Sequence, residues 1–406
     1  MISIRPFRAW RPTPDKAHLV ASRSYVEYDR DELTAKLRSN PYSFLHIVHP
    51  DLGRDQHLTQ DERFRRVRKK FESFCHEGIL QQDKAQSIYI YQQDQDGRSS
   101  RGIICGVSVR DYRNGLIKVH EQTLTARETL FEKYLDATGI NAEPVLLAAP
   151  EMPLLEATLD RATLLRPEMD LSTADRVRHR LWSVSDEDHV SEIVQCFRSV
   201  DALYIADGHH RSASSARLAQ SSAADGDDPK AWCLAFIVAR AHLHIWNFDR
   251  AVTSLNGMDT AEFLAELGKV GRLEPLAAAP TDAPERGGVF VCTRIGWYGL
   301  TMPAPPVWAS PVEALDPALL STCVLAPVLG IHDLRTDPHI RFIPGTHGVA
   351  ALEAMVKSKE AAVAFHLRPV SFDELKAVAD SNGTMPPKST YIEPKLRSGM
   401  TIYPLE

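Results

Sequence analysis

At 406 residues the chain is long enough for two or three domains, and 44% hydrophobic with 25% charged residues allows a sizeable core, which excludes disorder as its default state. A formal net charge of −6 argues against a protein whose main task is to coat nucleic acid or an anionic membrane. No stretch approaches the roughly 20 apolar residues of a membrane-spanning helix. The opening Met1-Ile2-Ser3-Ile4-Arg5-Pro6-Phe7 lacks the basic and apolar regions of a secretory leader, so a cytoplasmic protein is expected. The six cysteines lie far apart, and Cys105, Cys233 and Cys292 sit in apolar, strand-like runs, which predicts core thiols.

In chain order, Asp29 to Arg38 predicts a short helix stopped near Pro41, and Asp61 to Cys75 a longer one with apolar residues at helical spacing. Ser87 to Gln92 alternates as a strand, Asp94 to Ser100 is a polar turn, and Gly102 to Val109 reads as a buried strand, giving a hairpin. Leu116 to Val119 leads into His120-Glu121-Gln122-Thr123, and a helix follows over Thr125 to Leu135 with Thr123 or Thr125 as its cap. A strand is expected at Pro144 to Ala149, then helices around Met152 to Ala162 and Asp188 to Arg198. Leu203 to Ala206 is a buried strand, with a helix beginning at Ser212. Trp232 to Arg240 is a further strand, with His242 to Phe248 as its pairing partner. Beyond Pro275, the spans Gly288 to Thr293 and Trp297 to Met302 form a hairpin, Pro317 to Leu329 a buried helix, and His339 to Ile343 a strand. Val349 to Lys359 predicts an amphipathic helix, Ala361 to Leu367 a strand, and Ser371 with Glu374 the capping box of a last helix. The fold class is α/β, or α+β, with a mixed sheet. The expected division is an N-terminal segment over 1–80, a core over 81–250 and a C-terminal α+β domain over 251–406.

Three constellations carry chemistry. Asp207-Gly208-His209-His210-Arg211 directly follows an apolar strand. A strand, a glycine turn and a helix N-terminus offer backbone N–H groups to an anion. Gly208 lets a ligand approach the backbone, Arg211 supplies a planar fork for phosphate or carboxylate, and Asp207 suits a hydroxyl or a magnesium ion. A solvated tight turn is the plainer alternative, but so many titratable groups after an apolar strand favour a ligand site. Ser212 belongs to the same phosphate-binding group. The second constellation is His120-Glu121, where a glutamate can act as general base, although such residues often only cap helices. The third is Met385-Pro386-Pro387-Lys388-Ser389-Thr390-Tyr391, a proline-stiffened loop in which Lys388, Ser389 and Thr390 offer a cation and two hydroxyls to a phosphate. A stiff arm pinned to the surface explains it equally well. The chain has no G-x-x-x-x-G-K-S/T, G-x-G-x-x-G or G-x-S-x-G, and no H-x-x-x-H or H-E-x-x-H spacing, so no resident metal is expected.

Taken in order, His120-Glu121 and the Gly208-His209-His210-Arg211 match to a Gly-x-x-Arg phosphate motif resemble the ParB/sulfiredoxin-like superfamily, and within it the free-serine kinases. That resemblance implies a ParB/sulfiredoxin-like core with Glu121 as catalytic base, accompanied by His120. It implies that Asp207 holds the serine hydroxyl and that His209, His210 and Arg211 cradle the transferred phosphate. Thr123 and Arg250 are expected at the substrate. Over nearly its whole length the chain resembles the DUF1015 family, through Ile4-Arg5-Pro6-Phe7, Asn40-Pro41-Tyr42, His120-Glu121-x-Thr123, Asp207 to Arg211, and Met385 to Tyr391. It departs at Ser22-Arg23-Ser24-Tyr25-Val26-Glu27, where family members often carry Pro-Pro-Tyr-Asp. The implied activity is phosphoryl transfer between ATP or ADP, with Mg2+, and a small hydroxyl compound such as free L-serine, in either direction. Expected partners are serine or phosphoserine and a nucleotide, without membrane, with nucleic acid disfavoured and a homodimer allowed. The alternatives are a ParB-like nucleotide-binding regulator that turns over no serine, and an accessory protein with a degenerate site.

Overall fold

The computed structural model describes residues 1–49 and 58–406. The chain separates into two compact units: one of Met1–Lys118, Gln122–Leu243 and Pro394–Glu406, the other of Val119–Glu121 and His244–Glu393. The segment 1–80 therefore groups with the residues that follow it, and the second unit is a long insertion from which the chain returns to the first.

The first unit is built on a mixed sheet, as expected. Its strands are β1 (Ile4–Arg5), β2 (Ile88–Gln95), β3 (Arg98–Ser108), β4 (Ile117–Lys118), β5 (Val145–Ala149), β6 (Met169–Ser172), β7 (Arg178–Val184), β8 (Leu203–Asp207) and β9 (Trp232–Ala239). They lie in the order β4-β8-β5-β9-β3-β2-β7-β6, with β1 beside β3. The pairs β4/β8 and β5/β9 are parallel and the remaining pairs antiparallel. The central strands are apolar on both faces, as a sheet covered on both sides requires. One face packs Val145, Leu147, Leu203, Ile205, Ala235 and Ile237 in a single core with residues of three helices. These contribute Leu155 and Leu159 from Pro153–Thr163, Ile193 from Glu187–Cys196, and Ala216 and Ala219 from His209–Ser221. A smaller core joins Val67, Phe71 and Phe74 to Val20, Phe44, Ile140 and Ile402. Its principal helix, α1 (Gln60–His76), starts at a capping box in which the Thr59 hydroxyl accepts from the Glu62 N–H.

Two further helices of this unit matter below: α2 (Thr125–Thr138) and α3 (His209–Ser221), which pack together. The N-cap of α2 is Leu124, not Thr123 or Thr125, and it makes no side-chain cap. The Thr123 hydroxyl instead donates to Glu128. Helix α3 begins at His209, three residues before the expected Ser212, because Gly208 already supplies the turn.

The second unit holds an all-antiparallel sheet of β10 (Phe248–Val252), β11 (Arg272–Pro275), β12 (Gly288–Thr293), β13 (Gly296–Thr301), β14 (Ile340–Pro344) and β15 (Val363–His366). Their order is β11-β13-β12-β15-β10-β14. The expected partner of Trp232–Arg240 is corrected here. His244–Trp246 pairs with Tyr391–Glu393, and Phe248 begins β10 of the second sheet. The single strand read over His242 to Phe248 is broken at Asn247, whose side chain bonds Asp249. The expected hairpin at β12 and β13 is present, as is the Ser371/Glu374 capping box. The buried helix expected over Pro317 to Leu329 is a short α-helix, Asp316–Leu320, continued by a π-turn over Ser321–Leu325.

Candidate active site

The site is built at the end of β8. Leu203, Ile205 and their neighbours commit the strand to the core, and the register slips between Ile205 and Asp207, so that Ala206 is an extra residue. Such a bulge re-aims the side chain that follows it. Asp207 leaves the sheet with its side chain 44% exposed. Gly208 then takes φ 103°, in the left-handed region, and a Cβ there would stand 2.9–3.1 Å from the Arg211 guanidinium. Only glycine satisfies both the dihedral and the contact. Being glycine, it also offers no side chain to cap α3, whose first N–H groups face out of the helix without intrahelical acceptors.

Arg211, one turn into α3, folds back over this glycine. Its Nη2 donates to Asp207 Oδ2 at 2.9 Å and its Nη1 to the Pro144 carbonyl at 2.7 Å, with Glu143 Oε2 at 4.0 Å. The other Asp207 oxygen faces Lys395 Nζ at 3.8 Å. Desolvation pushes the Asp207 carboxyl up, but Lys395, Arg211 and His209 outweigh it and hold it below the usual aspartate range. The carboxylate is thus ionised at neutral pH and brackets two cations beside a helix N-terminus. Sequence reasoning gave Lys395 no role and missed Glu143. The signal for Lys395 was its place just past a proline-rich motif, but nothing local ties it to Asp207.

His209 is 4% exposed and Ser212 6%, so their side chains belong to the inner side of the turn. His210 is half-buried, and its Nδ1 has no hydrogen-bond partner among the described residues. Burial pushes its pKa down, with Arg127 adding to the fall and Glu128 opposing it, so the ring is neutral at pH 7.

The remaining expected residues fall in the second unit. His120 is 1% exposed, its carbonyl accepts from Met385 N at 2.9 Å, and burial pushes its imidazole pKa down to about 4. Glu121 is exposed. Lys388 holds its ammonium 5.3 Å over the Phe248 ring. The Ser389 hydroxyl donates within its own loop to the Pro386 carbonyl at 2.8 Å, while Thr390 is half-buried. Arg250 is 1% exposed and lies 4.6 Å over Phe342.

A cavity of about 440 Å³ lies within the first unit, among α1, α2 and α3. The rings of Tyr25, Phe64, Phe131 and Tyr134 line it, and its polar groups come from Arg211, Arg63, Glu143, His49, Ser214, Asn141 and Gln60. Phe64 meets Tyr134 edge-on at 5.4 Å, and Tyr25 meets His49 at 4.5 Å. Arg211 therefore borders both the strand-to-helix turn and the cavity. Among the described residues no helix is long and apolar enough to cross a membrane.

The sequence model of a family described as a protein of unknown function, DUF1015, matches residues 4–318. No curated protein matches the chain. Among solved structures, a variant of free serine kinase in complex with AMP is similar at 16% identity and TM-score 0.39, with 73% of this chain and 92% of that one covered. SbnI with C-terminal truncation from Staphylococcus aureus is similar at 13% identity and TM-score 0.40, over 74% and 87% of the two chains. A conserved hypothetical protein from Pyrococcus furiosus is similar at 14% and 0.37, over 74% and 95%. These TM-scores lie under 0.5.

Proposed function

This chain belongs to the DUF1015 family, and from that premise we propose that it is a nucleotide-dependent phosphotransferase acting on a small hydroxyl compound, free L-serine, to give O-phospho-L-serine or the reverse. The observation that carries the reading is the Asp207–Arg211 turn. A glycine-capped helix N-terminus, a guanidinium fork and Lys395 converge on one half-exposed carboxylate. Phosphoryl transfer asks the protein mainly for positioning and charge neutralisation, and these groups suit both tasks. The transferred phosphoryl group is bound by the N-terminus of α3, Arg211 and Lys395. Asp207 accepts a hydrogen bond from the acceptor hydroxyl. Glu121 takes the hydroxyl proton as the new O–P bond forms and the bridging O–P bond of the nucleotide breaks, leaving the shortened nucleotide. His120, kept neutral by burial, positions the backbone of Glu121 through its carbonyl bond to Met385.

A carboxylate already between two cations suits an ion carried in on phosphate better than a resident one. Magnesium bound to the nucleotide would neutralise phosphate charge, with Asp207 as the protein carboxylate offered to it. The test is purified full-length protein with serine and ATP or ADP, and separately with phosphoserine and ADP or AMP, assayed by mass spectrometry. Phosphoserine should form or disappear, and Glu121→Gln should lower turnover by about 10²–10⁴-fold. No turnover in either direction overturns the proposal. Tight nucleotide binding without turnover would instead support a nucleotide-binding regulator.

A further inference from the structure

Arg211 borders two spaces at once, and the second has no role in the chemistry just described. The cavity among α1, α2 and α3 has a volume of about 440 Å³, within the ~300–1,000 Å³ range of small-molecule sites. Its walls are aromatic and aliphatic, a poor match for a three-carbon polar amino acid and a good one for a flat apolar ring system. Beside Gln60, Arg63, Asn141 and Ser214, three polar groups of different kinds line it. Arg211 is a cation shared with the phosphate turn. Glu143 is a carboxylate that already accepts from the Ser398 hydroxyl at 3.0 Å and keeps lone pairs to spare. His49 presents a buried Nε2 with no hydrogen-bond partner among the described residues, on a ring that burial keeps neutral. A buried, unpartnered imidazole nitrogen is costly to leave unmatched, and a ligand that bonds it removes the cost.

We infer that this cavity binds the purine nucleoside part of a nucleotide, its phosphate chain emerging past Arg211 toward the Gly208 turn. The inference rests on the phosphotransferase reading and deepens it. A purine offers a stacking face to Phe131 and its neighbours, an exocyclic amine to donate to Glu143, and ring nitrogens to pair with His49. A pyrimidine fills less of the space and a sugar phosphate leaves the rings uncovered.

The experiment is calorimetric titration of the intact protein with AMP, UMP and ribose 5-phosphate at one ionic strength. AMP should bind at least about tenfold more tightly than ribose 5-phosphate, the size expected for a base stacked on an aromatic ring. Phe131→Ala should erase most of that difference while leaving ribose 5-phosphate unchanged. Tyr25→Ala, at a side chain already 37% exposed, tests the same wall with little risk to folding. Equal binding of AMP and ribose 5-phosphate overturns the inference, as does an AMP affinity that neither substitution moves. The two readings fail separately. Phosphoserine formation with wild-type nucleotide affinity in both variants removes the cavity assignment and keeps the phosphotransferase. Purine-selective binding that both variants weaken, with no phosphoserine made or consumed, does the opposite.

Discussion

Each unit contains an aspartate and an arginine close together in sequence, and the two pairs have opposite fates. In the second unit, Asp249 on β10 is 1% exposed and accepts from the Asn247 amide, from His366 Nδ1 at 3.0 Å and from the Leu367 N–H at 3.1 Å. Its neighbour Arg250 points to the other face of the strand, donates to the Phe248 carbonyl at 2.7 Å and lies over Phe342. Burial pushes the Arg250 pKa down to about 10 against the pull of Asp249, so it stays charged. In the first unit, Asp207 and Arg211 sit at a bulged strand end, half in solvent, with a second cation, Lys395, alongside. A carboxylate buried in a sheet and held by three protein donors is scaffold. One that gathers cations at an exposed helix N-terminus is equipped for a ligand. Charge density alone does not separate the cases; exposure and partner count do. The expectation that Arg250 meets substrate sits poorly with its side of this contrast.

The sharpest way to break the comparison is truncation. Asp249→Ala should destabilise the protein by about 3–5 kcal/mol in urea unfolding, because it strips a buried charge network of its acceptor. Asp207→Ala should cost about 1 kcal/mol or less, since its ion pairs are solvent-screened, while abolishing most phosphoserine turnover. Equal destabilisation by the two would erase the distinction. Next in size, Arg211→Ala should lower turnover by about 10²–10³-fold with a near-normal unfolding midpoint. Arg211→Lys should recover only part of this, because an ammonium lacks the planar fork.

Acid sharpens the same contrast. His179, buried in the first sheet against the Tyr91 hydroxyl at 2.7 Å, has its pKa pushed down to about 3 by burial, with Arg397 adding to the fall and Asp175 and Asp94 opposing it. The unfolded chain therefore binds a proton that the folded one refuses between the ordinary histidine value and about 3. Stability should be complete above about pH 6.5 and fall by on the order of a few kcal/mol as pH drops toward 3. His179→Gln should flatten that arm of a pH–stability profile. The smallest effect separates the two lysines. Lys395→Ala should weaken nucleotide binding about tenfold, the loss of one charge-assisted contact, and Lys388→Ala should change it by less than about twofold if its cation–π seat on Phe248 is its main contact. The reverse order would restore Lys388 as the phosphate cation.

Much of the fold was legible because it follows local rules. The capped helices at Asp29, Thr59 and Ser371, the Ile88–Ser108 hairpin and the β12/β13 hairpin all carry their signals in adjacent residues. The strands β6 and β7 escaped because arginine, histidine and aspartate alternate through them. Arg178 pairs with Asp170 across the ladder, so the outward face looks like loop sequence. The helix Thr260–Val270 was missed despite its capping box at Asp259 and Glu262, hidden among nearby glycines and prolines. For the site, the turn was visible because its dihedral and chemistry lie within five consecutive residues. Lys395, Glu143 and the aromatic cavity were not. They are brought together by tertiary packing, and aromatic residues at helical spacing look the same whether they face a core or a space.

The return of residues 394–406 to the first unit has a consequence for synthesis. Ile402 bonds Trp10 at 2.9 Å, Tyr403–Pro404 pairs with Ile140–Asn141, and the Glu406 carboxylate grips Arg68 at 2.7 Å. A ribosome must translate the entire insertion before Lys395 can reach Asp207, although domains emerging first ordinarily fold first. Polypeptides stalled short of that lysine would carry the whole Gly208 motif yet lack its second cation, so they should hold nucleotide about tenfold more weakly than chains that extend past it.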